Sequence, residues 1–132
     1  MNTKLLMSAS AIFLGFIGII LTFMPQEVSQ LLLLIGSPIL FQLLGALYFA
    51  FALLNWTAKG NLIGGIYSRP VGVGNFAHFI IGALALIKLM FLQPFNFLSI
   101  LAILYVIFAI FFGWVFFTNP VAKAKVTIQG DS

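Results

Sequence analysis

His78 is the only histidine of the chain, and the groups that could act with it lie close by in sequence: Asn55, Lys59, Tyr67, Arg69 and Asn75. An imidazole can serve as a proton-linked switch near neutral pH. It can also bond to a ligand carbonyl, or supply one axial ligand of a haem shared between chains. The two amides, the phenol and the two cations would complete a small ligand-binding site around it. The stretch that holds them, NWTAKGNLIGGIYSRPVGVGNFAH from Asn55 to His78, also carries Gly60, Gly64, Gly65, Gly72 and Gly74. Glycine exposes backbone N–H groups that can cradle a phosphate. Neither the P-loop pattern nor GxGxxG is present, and no strand precedes the segment.

Each of these features also has a plainer explanation. A neutral imidazole bonded to Asn55 or to a backbone carbonyl would fix helix register, which is ordinary adhesion between membrane helices. The glycines would let the chain turn tightly against the end of a helix bundle. Lys59 and Arg69 would then meet anionic phospholipid headgroups, each contributing about 1 kcal/mol. We take the plainer explanations as the expectation and keep the six residues as the candidate ligand-binding set.

Composition says where such a set must sit. Of 132 residues 63% are hydrophobic and 6% charged, and mean hydropathy is +1.22. Soluble domains carry roughly 25% charged residues, so the chain reads as an integral membrane protein. With about 20 apolar residues needed per crossing, its length admits four spans. Zero cysteines exclude disulfides and thiolate metal sites. Two acids and one histidine give no protein-only metal cage, and we expect no metal and no cofactor. The cations flank the apolar runs instead of clustering, which excludes a nucleic-acid footprint.

In order along the chain, the apolar runs predict spans over about 5–23, 38–57, 71–92 and 97–117. The first ends at Met24-Pro25 without a small-residue cleavage site, so it is read as an uncleaved helix, not a signal peptide. Between the first two spans, Pro25 and Glu27 suit the start of a helix. The apolar part from Leu31 to Ile35 is too short to cross, which predicts an interfacial helix over about 26–35. Gly36 can end that helix, and Ser37-Pro38 offers an N-cap and first position for the next. A glycine-rich connector (59–70) joins the second and third spans, Gln93 to Asn96 form a tight turn, and 118–132 is a polar tail. Lys4, Lys59, Arg69, Lys123 and Lys125 fall on one side and Lys88 towards the other. Positive-inside counting therefore predicts a protein of the cytoplasmic (inner) membrane with N- and C-termini and connector cytoplasmic.

Each span carries one narrow face of small or polar residues at spacings of three and four. These are Ser8, Ala11, Gly15, Gly18 and Thr22; Gly45, Tyr48, Ala52, Asn55 and Lys59; Asn75, His78, Gly82, Ala85 and Leu89; Ser99, Ala102, Val106, Ala109 and Gly113. Small residues permit the close approach on which helix association in lipid depends, and a period of 3.5 implies left-handed packing. The expected fold is all-α: a single domain of four transmembrane helices in an up-down-up-down left-handed bundle, with the interfacial helix between the first two. Ser8, Asn55, Lys59, Asn75 and His78 would gather in its cytoplasmic half, beneath Tyr67 and Arg69. Trp56 and Trp114 read as interfacial belt residues. The sixteen phenylalanines face lipid or another chain, and Lys88 snorkels to the surface.

In its four short spans and short connections the chain resembles, by shape, several families of small bacterial membrane proteins, the DoxX-like ones among them. Small multidrug transporters share the size, but their membrane glutamate has no counterpart here, since no acid lies within a span. The functional expectation is a non-catalytic subunit or assembly and anchor module of a membrane complex, partnered by another membrane protein or by copies of itself. The alternative is a transporter or binding protein for a small molecule, ion or lipid, using the polar cluster around His78. An enzyme is not expected, because acid–base chemistry needs paired titratable groups.

Overall fold

In the computed structural model, residues 2–32, 35–61, 68–92 and 97–118 are described. Among them the chain is all-helical, with no strand: α1 Thr3–Phe23, α2 Pro25–Leu31, α3 Pro38–Ala58, α4 Arg69–Met90 and α5 Phe97–Phe117. Four of the five are long and apolar enough to cross a membrane. The predicted short helix is present as α2, between the first two.

The punctuation residues account for the boundaries. Pro25 and Pro38 each open a helix, where the missing N–H of proline would have had no partner. Ser37 occupies the N-cap in an extended conformation, although its side chain makes no capping bond. Its carbonyl accepts from Leu40 N at 3.0 Å instead. Four boundaries differ from expectation by two or more residues: α1 starts at Thr3 and α4 ends at Met90, each two residues early, and two more have a local cause. α2 closes at Leu31, short of Gly36, because Leu32 turns to φ −90° and ψ 0° and ends the ladder by donating its N–H to Val28. α4 starts at Arg69, two residues early, so Arg69 belongs to the helix and not to the connector. Pro70 is tolerated within that first turn, and Gly72 N–H begins the ladder on Ser68 O at 3.1 Å.

The helices fall into two compact units, one of α1, α2 and α3 (Leu5–Lys59) and one containing α4 and α5. In the first unit α1 and α3 run antiparallel at backbone contact. A Cβ placed on Gly18 would lie 2.8 Å from both Gly45 O and Phe49 N, and one on Gly45 would lie 2.8 Å from Gly18 O. Gly15 faces Ala52, and Gln42 Nε2 reaches Thr22 O at 3.5 Å. Thr22 turns its hydroxyl back onto Gly18 O at 2.7 Å, which satisfies that polar group within α1 while its oxygen stays packed against Gly45. The predicted small-residue faces of the first two spans thus meet each other. α1 also buries Met7, Leu14 and Leu21, so its covered face is broader than the small residues alone mark out.

In the second unit α4 and α5, also antiparallel, meet through aromatic rings. Phe79 and Phe112 are fully buried and stack at 5.6 Å between centroids, and Phe108 stacks on Phe79 at 4.8 Å. Such ring pairs contribute about 0.5–1.5 kcal/mol beyond the area they cover. Phe79 and Phe112 are core residues, which corrects for them the expectation that the phenylalanines face lipid or another chain. Phe111 and Phe117 remain exposed. The buried face of α4 is Gly72, Asn75, Phe79 and Ala83, so Ala85, placed on the predicted small-residue face, turns outward.

Candidate functional site

Asn55, close to the end of α3, is fully buried and donates from Nδ2 to Ser10 Oγ at 3.0 Å. The Ser10 hydroxyl donates in turn to Met7 O at 3.0 Å. An amide and a hydroxyl are therefore joined across the α1–α3 seam, where lipid-facing alternatives would leave each without a partner. Near the same end of α3, the Lys59 ammonium lies 2.9 Å above the centre of the Trp56 ring. Trp56 thus provides a stacking platform for a cation as well as a half-exposed indole, where the sequence suggests only a belt residue.

In the second unit Asn75 is fully buried, and its side-chain amide donates to Val71 O one turn back at 2.9 Å. His78 Nε2 and the Tyr105 hydroxyl share a hydrogen bond at 3.2 Å, the direction following the tautomer. With the ring proton on Nδ1, the hydroxyl donates. His78 also meets Phe79 edge-on at 5.1 Å, and Phe79 meets Tyr105 at 5.2 Å. Gly82 makes this trio possible, because a Cβ there would run into the Tyr105 ring. Arg69, exposed at the start of α4, holds its guanidinium 5.8 Å over the Phe116 ring.

The six candidates thus divide. Asn55 and Lys59 belong to the first unit and Arg69, Asn75 and His78 to the second, while Tyr67 lies outside the described residues. Asn55, foreseen as a partner of His78, bonds to Ser10, and the hydroxyl beside His78 comes from Tyr105. Two residues that matter, Ser10 and Tyr105, lie off the predicted small-residue faces. Ser10 lies two positions from Ser8, the serine placed on the predicted face, and 200° around the helix from it. Tyr105 sits next to Val106, the residue placed on the predicted face. Its phenol carried a usable signal, a hydroxyl inside a nearly unbroken hydrocarbon run.

Compared with protein-family models, curated proteins and solved structures, the chain matches none.

Proposed function

We propose that this small membrane protein is a non-catalytic subunit or assembly module of a larger complex in the inner membrane. The observation that carries this reading is where its polar side chains go. Asn55 joins Ser10, Asn75 bonds to its own helix and His78 joins Tyr105. Among the described residues no buried side-chain nitrogen or oxygen lacks a hydrogen-bond partner. A catalytic centre or a transport path holds polar groups ready for a substrate. Here Asn55 and His78 connect helices, and Asn75 is satisfied within its own. Among the described residues His78 meets the Tyr105 phenol and the Phe79 ring, whereas acid–base chemistry uses paired titratable groups. The cation distribution supports cytoplasmic termini and a cytoplasmic connection between α3 and α4.

The test is native mass spectrometry of the full chain, gently extracted from its own membrane. The expected result is a second polypeptide at fixed stoichiometry. Recovery of the chain alone, or only as a homo-oligomer, overturns the subunit reading.

A further inference from the structure

A groove of about 370 Å³ runs between α4 and α5. Ala83, Ala109 and Gly113, all buried, form its floor, and it continues along α4 from Phe76 to Ile87. That is eleven residues of helix, roughly 16 Å at 1.5 Å per residue. The middle of α4 falls between Phe79 and Ile80, so the groove extends to both sides of the bilayer midplane. An acyl chain belongs to one leaflet, whereas a transmembrane helix crosses both. The groove opens outward, since its wall residues Leu84, Ile110 and Trp114 are 61%, 61% and 64% exposed. Every side chain that lines it is apolar or aromatic. Small floor residues between larger walls let a third helix come close in lipid, where packing takes the place of a hydrophobic drive. An exposed tryptophan beside them is a favoured anchor of such contacts.

A charge adjoins the Ile87 end. Lys88 is exposed, follows Ile87 directly, and lies one turn beyond Leu84, about 40° around the helix from it. The chain's two acids are Glu27 and Asp131, so neither α4 nor α5 carries a carboxylate to meet it. A cation at the rim of an apolar contact selects an anion at the same depth. It also selects against a second copy of this chain. Two copies inserted in the same orientation and packed symmetrically on this face would place both Lys88 ammoniums at one depth of one contact. Those like charges would repel, with no acid on either helix pair to offset them.

We propose that the α4–α5 groove receives one transmembrane helix of a different protein, carrying an aspartate or glutamate that pairs with Lys88. The inference rests on the subunit reading above and assigns the face of the chain that meets the other subunit. Benzoylphenylalanine is placed at Leu84 or at Ile110, two exposed positions, in the full chain in its own membrane. Illumination is followed by peptide mass spectrometry of the adducts. Both positions should label the same helix of one other polypeptide, with an aspartate or glutamate about one turn from the residue labelled from Leu84. Lys88→Glu should lower the yield about fivefold, as the loss of one ion pair does. Changing that acid to lysine should restore it, and Lys88→Arg should keep the yield. A second polypeptide found by native mass spectrometry but labelled from neither position overturns this inference and leaves the subunit reading standing. Labelling of a second copy of this chain, a labelled helix with no acid at that depth, or full yield with Lys88→Glu overturns it as well. So does an equal loss of yield in Glu27→Gln, which would assign Lys88 to the chain's own acid. Absence of any second polypeptide in native mass spectrometry overturns both readings.

Discussion

Gly15 and Gly18 occupy the same face of α1, yet an added methyl group meets different surroundings at each. At Gly15 the new Cβ would lie 3.4 Å from the Ala52 Cβ, an ordinary contact. At Gly18 it would lie 2.8 Å from Gly45 O and from Phe49 N, both backbone atoms that cannot rotate away. To restore 3.4 Å from 2.8 Å, α1 and α3 must part locally by about 0.6 Å. Overpacking of this kind costs about 1–3 kcal/mol, against about 0.5–1 kcal/mol gained when alanine replaces a helical glycine. Gly15→Ala should therefore be neutral or more stable by up to about 1 kcal/mol. Gly18→Ala should lose on the order of 1–2 kcal/mol, with Gly45→Ala behaving alike. Unfolding in mixed micelles by added dodecyl sulfate, followed by circular dichroism, measures the difference. A Gly18→Ala protein as stable as Gly15→Ala would refute the backbone contact on which the α1–α3 pairing rests.

Three further outcomes follow from the same contacts. A double-mutant cycle of Ser10→Ala and Asn55→Ala should give a favourable coupling of about 0.6 kcal/mol, and no more than about 1.7, as for other interhelical bonds in membranes; the same unfolding assay reads it, and zero coupling removes the bond. Gly82→Ala should destabilise by about 1–3 kcal/mol, more than Tyr105→Phe, because the former displaces a buried ring and the latter removes only its hydroxyl. In a Trp114→Phe background, Lys59→Gln should change the emission of Trp56 while lowering stability by less than about 1 kcal/mol; an unchanged spectrum would place the ammonium away from the ring.

The long hydrocarbon runs determined the four spans, and the fourth matches α5 to the residue. Proline fixed the starts of α2 and α3 equally well. The α1–α3 seam was also legible, since Gly15, Gly18, Gly45, Ala52 and Asn55 are small or polar at helical spacing and do face the partner helix. Tertiary structure alone decided which polar group meets which. Asn55 bonds to Ser10, and His78 meets Tyr105. It also decided that Phe79 and Phe112 are core while Phe111 and Phe117 are exposed. The physical reason is the solvent. In water an apolar face is an inside face, whereas lipid is as apolar as phenylalanine and gives no such sorting. Shape then selects the buried face, and a single residue's step turns a side chain through 100°. Composition and period register that a helix crosses the membrane; which hydroxyl faces an amide depends on the fit of two surfaces.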